Sequence, residues 1–191
     1  MNDQVRWDRQ HGETQGAPAP AAILQEIVDG DHWSLAPGKA LDIATGKGRN
    51  ALFLASRGFQ VTAIDISPVG LAQGRSQAEK LSLPVSWQQA DLEDLPLAPA
   101  RYDLIVNINY LQRSLIAQII GALRPGGHVI FETYLIDQQT VGHPRSPDHL
   151  LAHNELLNHF REFRILLYRE GKFADGAEPA WRAGLLAQKL G

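Results

Sequence analysis

From Lys39 onward the chain alternates short apolar runs with segments of helical spacing, and this alternation limits its fold more than any other feature. The runs are Ala40-Leu41-Asp42-Ile43, Gln60 to Ile64, Val85 to Gln89, Tyr102 to Val106, His128 to Thr133, Arg164 to Tyr168 and Gly184 to Gln188, which makes seven strand candidates. Between the first two lies Asn50 to Arg57, apolar on one face and closed by Gly58 where a helix usually ends. Ser67 to Leu81 separates the second from the third and opens with a Ser-Pro pair suited to the cap and first helical positions. Ser114 to Leu123 and Asn154 to Phe160 supply two further helices. Parallel strands need crossover connections, and helical crossovers place helices on both faces of the sheet. The expected class is therefore α/β, with a seven-stranded, mostly parallel sheet. The last two runs are joined by Gly171 to Ala180, a turn-rich link without a helix, which predicts an antiparallel strand near the carboxyl-terminal edge.

At 191 residues with 44% hydrophobic content, the chain can bury one core and is short for two, so a single domain over residues 1–191 is expected. A polar lead and the Gly16-Ala17-Pro18-Ala19-Pro20 separator precede an apolar run that predicts a helix over about residues 20–29. The net charge of −3, from 21 acids and 18 bases, creates no field that would draw in nucleic acid or an anionic membrane. No run approaches the length of a membrane span and the amino terminus lacks a signal-type apolar core, so a cytoplasmic protein is expected, without nucleic-acid or membrane partners. The absence of cysteine excludes disulfides, thiolate metal sites and a cysteine nucleophile. No metal site is expected, and oligomeric state is left open.

The first strand exits through Asp42-Ile43-Ala44-Thr45-Gly46-Lys47-Gly48-Arg49-Asn50 straight into a helix, and Gly46 and Gly48 allow backbone to approach a ligand where a side chain would collide. Alone, that loop is equally an ordinary tight turn. Asp65 ends the second strand, where a ribose diol would find its acceptor. Asp91, followed by Leu92, ends the third, where its carboxylate would accept from an adenine amino group while Leu92 packs on the ring. Acids at three successive strand ends suit a cationic sulfonium ligand better than the anionic pyrophosphate of a dinucleotide.

The Asp42 to Asn50 loop, the Asp65 and Asp91 strand ends, Tyr102-Asp103-Leu104-Ile105-Val106 and Leu123-Arg124-Pro125-Gly126-Gly127 together resemble the successive motifs of class I S-adenosylmethionine-dependent methyltransferases. Within that superfamily the chain is similar to the tellurite-resistance (TehB-type) and thiopurine-type small-molecule enzymes, in Gly-Lys-Gly-Arg-Asn and in Gly58 to Asp65. The resemblance covers roughly residues 39–135 well. It implies a Rossmann-like sheet, a cofactor-binding core over residues 39–135, a capping segment over 1–38 and an acceptor side over 136–191. It further implies S-adenosyl-L-methionine as cofactor, with Asp42, Ala44, Thr45, Gly46 and Gly48 along the methionine moiety and Asn50 beside them. Asp65 would hold the ribose, Asp91 with Leu92 the adenine, Ile66 would also contact the cofactor, and Asn107 would stand next to the sulfonium. Ala44 departs from the glycine common at that position, and Trp7 is a candidate for closing over the cofactor.

The implied partner is a small-molecule methyl acceptor, a metalloid oxyanion, thiol or similar nucleophile. In an open α/β sheet its pocket belongs above the fourth and fifth strands, where Asn107 to Tyr110, Gln112-Arg113, Glu132 to Tyr134 and the loop His143 to His149 arrive. Tyr134, Arg145 and His143 are the catalytic candidates. His143 and His149 are equally read as solvent-facing loop residues, and Arg113 as the partner of a structural acid such as Glu132. Two other functions stay open: a cofactor-binding sensor or interaction module without catalysis, and an NAD-dependent oxidoreductase, which the chain supports with only two glycines in its loop.

Overall fold

The computed structural model describes residues 3–13, 19–174 and 178–191. In chain order the elements are α1 (Asp3–Glu13), α2 (Ala22–Asp29), β1 (Lys39–Ile43), α3 (Arg49–Ser56), β2 (Gln60–Asp65), α4 (Pro68–Lys80), β3 (Val85–Gln89), β4 (Tyr102–Ile108), α5 (Arg113–Ala122), β5 (Leu123–Tyr134), α6 (Glu155–His159), β6 (Phe163–Phe173) and β7 (Ala180–Lys189). The strands form one seven-stranded sheet in the order β3-β2-β1-β4-β5-β7-β6. Pairing is parallel from β3 through β5, whereas β7 runs antiparallel between β5 and β6. This is the mostly parallel sheet with an antiparallel carboxyl-terminal strand that the alternation predicts.

The central strands read as near-continuous apolar runs because both faces are covered. On one face Ile23, Leu24 and Ile27 of α2 and Ala51, Phe53 and Leu54 of α3 pack on Ala40, Val61, Leu104, Val106, Ile130 and Leu186. On the other, Leu115, Ile116 and Ile119 of α5 and Leu156 of α6 pack on Leu41, Ile43, Ile105, Val129, Phe131 and Leu185. Ser67 caps α4 by accepting from the Gly70 amide at 3.1 Å, and Pro68 follows at the first helical position.

Two features depart from the expectations. The lead before Ala19 carries the helix α1, which buries none of its residues fully. It docks on α4 through the Ser67 hydroxyl donating to Asp8 (2.5 Å) and the Gln73 amide donating to the carbonyl of His11 (3.0 Å). Of the separator, Gly16 to Pro18 lie outside the described residues. The segment that leads into and includes the loop expected over His143 to His149 contains two short 3-10 turns, Ile136–Thr140 and Pro147–His149.

Leu123-Arg124-Pro125-Gly126-Gly127 forms the start of β5, at the end of the sheet away from the strand carboxyl termini. There Arg124 donates to Asp103 (3.0 Å), whose other oxygen accepts from the Lys39 amide (2.7 Å), so the starts of β1, β4 and β5 are tied together. No helix of the described residues is long and apolar enough to cross a membrane.

Candidate active site

The strand order reverses between β1 and β4. β1 leads through α3 to β2 on one side, and β4 leads through α5 to β5 on the other, so a crevice opens at their carboxyl ends. The loop after Ile43 enters it with Ala44, Gly46 and Gly48 all at left-handed φ, of 51°, 57° and 79°. At Gly48 this freedom is matched by crowding: a Cβ would stand 2.3 Å from the Trp87 ring, which also lies against Gly74 of α4. Trp87, which motif reading passed over, thus fixes the loop from beneath.

The side chains of Asp42, Thr45 and Asp65 and the amides of Gly46 and Ser67 converge at the loop. Asp42 is 1% exposed; its Oδ2 accepts from the Thr45 hydroxyl, whereas Oδ1 is buried with no hydrogen-bond partner, only the weaker pull of the Ala51 amide reaching the carboxyl. Burial pushes its pKa up to about 7, against the attraction of Thr45 and Arg49. Asp65, also buried, accepts from the Gly46 amide at 2.7 Å and the Ser67 amide at 2.8 Å. It therefore shapes the loop as well as facing the crevice.

On the far wall Asn107, buried at the end of β4, donates to the carbonyl of Tyr110 (2.7 Å) and holds the turn that presents this tyrosine. The Tyr110 hydroxyl donates to Gln112 (2.6 Å), and its pKa is pushed up to about 12, first by burial and then by Glu93, Asp91, Asp3 and Asp65. Those acids mark one negatively charged mouth, with α1 along its rim. Leu92 is buried, Ile66 half-buried, and Asp91 is exposed, accepting from the Glu93 amide at 3.0 Å. His11 of α1 rests on the loop: a Cβ on Gly46 would be 3.1 Å from its ring, and one on Gly70 3.0 Å. Burial lowers its pKa, with Asp65 acting in the opposite direction. Trp7 stacks on His11 with ring centroids 5.9 Å apart.

Asn50 has a structural contact: its Oδ1 accepts from the Ala21 amide (3.0 Å) and binds the segment before α2 to α3. Of the acceptor-side candidates, Tyr134 is half-buried at the end of β5 under the guanidinium of Arg182, 5.3 Å from the ring centroid. His143, Arg145 and His149 are exposed, and Arg145 donates to the carbonyl of Gly142 (3.4 Å). Arg113 pairs with Glu155 (2.7 Å) and with the carbonyls of Asp148 and Leu150, so the pairing with Glu132 anticipated from the sequence is replaced by one that anchors the loop. Glu132, 1% exposed, pairs instead with Arg169 (2.7 Å) and Arg182 (3.5 Å), cations of β6 and β7 that carry no motif.

A family model described as a methyltransferase domain matches residues 40–127. The chain is 31% identical over 175 residues to Hemagglutinin 1 of Eikenella corrodens, covering 86% of this chain and 54% of that protein. It is 31% identical over 134 residues to the ubiquinone biosynthesis O-methyltransferase of Nitrosococcus oceani, covering 67% of this chain and 56% of the relative. The chain thus spans about half the length of these curated relatives. The solved structure of TehB from Haemophilus influenzae superposes with a TM-score of 0.69 at 27% identity, over 81% of this chain and 58% of that one.

Proposed function

We propose that the protein is a methyltransferase of the class I, S-adenosylmethionine-dependent kind, a reading supported by the methyltransferase-domain match over residues 40–127 and the likeness to TehB, and that it transfers a methyl group to a small-molecule nucleophile. The observation that carries this reading is Asp42. A carboxylate oxygen sealed from water with no donor opposite it, at the foot of a glycine loop in an acid-lined crevice, is suited to a ligand carrying positive charge. S-adenosylmethionine supplies an activated methyl group on a sulfonium and an ammonium beside it.

The chain's own residues supply binding and alignment. Asp42 and the Thr45 to Gly48 backbone hold the amino-acid portion, Asp65 accepts from the ribose, and Leu92 with Ile66 flanks the adenine, with Asp91 at its edge. Asn107 fixes the turn that carries Tyr110 to the wall of the crevice. Tyr110 stays protonated at neutral pH and so acts as a hydrogen-bond donor and an aromatic surface, not as a base. Rate enhancement in this reading comes from holding acceptor and donor in line and from excluding water, with α1 over the loop contributing to the exclusion.

The acceptor is a small oxygen or sulfur nucleophile, a metalloid oxyanion among the candidates; the O-methyltransferase relative supports a hydroxyl acceptor. Tyr134 lines the acceptor side, with the Arg145 and His143 loop at its rim. The protein acts in this reading as one domain in the cytoplasm, without a nucleic-acid partner. Calorimetry tests the proposal: S-adenosylmethionine and S-adenosylhomocysteine bind and NAD does not. Mass spectrometry of mixed small nucleophiles then identifies the methylated product. Micromolar NAD binding without S-adenosylmethionine binding overturns it.

A further inference from the structure

Two kinds of contact place the glycine loop. Its first half is hydrogen-bonded to the end of β2: the Thr45 amide donates to the Ile64 carbonyl (2.9 Å) and the Gly46 amide to Asp65 (2.7 Å). Its second half turns inward, with the Gly48 amide donating to the Thr45 carbonyl (2.9 Å), and lies by packing against α4 and β3. Gly70 and Gly74 stand one turn apart on the face of α4 that meets the loop. A Cβ on Gly70 would lie 2.9 Å from the Gly46 carbonyl oxygen, and one on Gly74 would lie 3.0 Å from that of Lys47.

Trp87 fills the corner between loop and helix. It pairs with Ala63 in the register of β3 on β2, and its half-buried side chain packs on the apolar cluster that includes α3. The outer ring of the indole reaches both glycines: a Cβ would stand 2.3 Å from its Cη2 at Gly48 and 2.5 Å from the same atom at Gly74. Separations this short admit no side chain at either position unless the ring moves. The Arg75 guanidinium donates to the Trp87 carbonyl (3.3 Å), so backbone and ring both tie β3 to α4. Gly48, at left-handed φ, is the residue that caps α3, so the ring bears on the junction of loop and helix. The contacting atoms are those of the indole farthest from the backbone, beyond the reach of a phenyl ring on the same strand.

We infer that Trp87 is a positioning residue for the amino-acid half of the cofactor. It holds Lys47 and Gly48 where the loop backbone meets that half, and so sets the preference for S-adenosylhomocysteine over a nucleoside that lacks it. This inference rests on the methyltransferase reading, in which ribose and adenine are taken separately, by Asp65, Ile66, Asp91 and Leu92 at the strand ends. Trp87 precedes the last residue of β3, Gln89, by two positions, and truncating its ring leaves the backbone pairing of β3 with β2 in place. What is lost is the support beneath Gly48, and packed backbone relaxes into a gap of that kind. One misaligned contact to the amino-acid half corresponds to roughly tenfold in affinity. The ring acts through the loop and does not itself touch the ligand.

The test compares S-adenosylhomocysteine with 5′-methylthioadenosine, which keeps adenine, ribose and thioether but has no amino-acid portion. Calorimetry on the wild-type protein and Trp87→Phe gives the ratio of the two affinities. That ratio is expected to fall about tenfold in the variant, through weaker binding of S-adenosylhomocysteine, with the affinity for 5′-methylthioadenosine within about twofold of the wild type. A fall in the ratio below threefold overturns the inference, equal losses for both ligands included, since these mark a merely structural tryptophan. Equal wild-type affinities for the two ligands overturn it too, because the loop then contributes nothing. If Trp87→Phe does not fold, fluorine NMR of the wild-type protein labelled with 5-fluorotryptophan decides. The Trp87 resonance, identified by elimination with Trp7→Phe, Trp33→Phe and Trp181→Phe, is expected to shift more with S-adenosylhomocysteine than with 5′-methylthioadenosine, and an equal response to both overturns the inference. Failure of the wild-type protein to bind S-adenosylhomocysteine at all is a different result: it marks the failure of the methyltransferase reading, and the inference falls with it.

Discussion

Measuring S-adenosylmethionine affinity across neutral pH tests the role given to Asp42. Its carboxyl has a pKa of about 7, raised first by burial and held back by the Thr45 hydroxyl and Arg49. A cation beside Oδ1 requires the ionised form, so affinity scales with the ionised fraction in the free protein. With that pKa the fraction is about 9% at pH 6.0 and about 76% at pH 7.5, a difference of roughly eightfold or about 1.2 kcal/mol. Affinity should therefore rise with pH over this window and release a proton on binding at pH 6.0. The sign for stability is opposite. A carboxyl whose folded pKa lies above its ordinary 3.8 binds protons more tightly in the fold, so this group lowers the stability of the ligand-free protein as pH rises from 3.8 to about 7. Bound cofactor offsets the loss. Calorimetry at pH 6.0, 6.5, 7.0 and 7.5, in buffers of different ionisation enthalpy, reads affinity and proton release together for wild type and Asp42→Asn. The cofactor's amino group titrates identically in both proteins and cancels in the comparison. Wild-type affinity that is flat with pH, or an unchanged slope in Asp42→Asn, would refute the reasoning.

Three further outcomes follow from the same geometry. Asp65→Ala should weaken cofactor binding by roughly 1–3 kcal/mol and also lower the melting temperature, because the Gly46 and Ser67 amides lose their acceptor; calorimetry and a thermal melt check both, and a variant unchanged in both moves Asp65 out of the site. Ala44 holds φ at 51°, so Ala44→Gly should raise stability by about 0.5–1 kcal/mol, readable as a higher urea midpoint, with an unchanged or lower midpoint counting against strain there. His11 has its pKa lowered chiefly by burial on the loop, so its contribution to docking α1 is complete above its ordinary 6.5 and is lost as pH falls below that value. Hydrogen exchange over residues 3–13, corrected for intrinsic rate, should then show weaker protection at pH 5.5 than at 7.5, and equal protection would exclude His11 as the latch.

The parts that sequence made legible are those with a short period or a local turn requirement. β1, β2, β4 and β5 announce themselves as apolar runs because both faces of the sheet are covered, and the loop from Asp42 to Asn50 is readable because glycine is needed where Trp87 closes in. α1 was not legible: it carries no buried stripe, and what docks it are hydrogen bonds that the Ser67 hydroxyl and the Gln73 amide of α4 and its cap donate to Asp8 and to the His11 carbonyl, which leave no periodic trace. Leu123 to Gly127 shows a different limit, since a motif that helps identify the domain sits at the far end of the sheet and ties strand starts together through Asp103.

The acceptor side was the least legible for a topological reason. Glu132 finds Arg169 and Arg182 through the register of the β5-β7-β6 hairpin, which shifts between Ile165 and Leu167, so residues up to 50 positions apart become neighbours by an offset that composition does not encode. Arg113 and Arg145 lay closer in sequence to the acceptor segments and drew attention for that, but Arg113 is committed to Glu155, and Arg145 is exposed with only a backbone carbonyl for a partner.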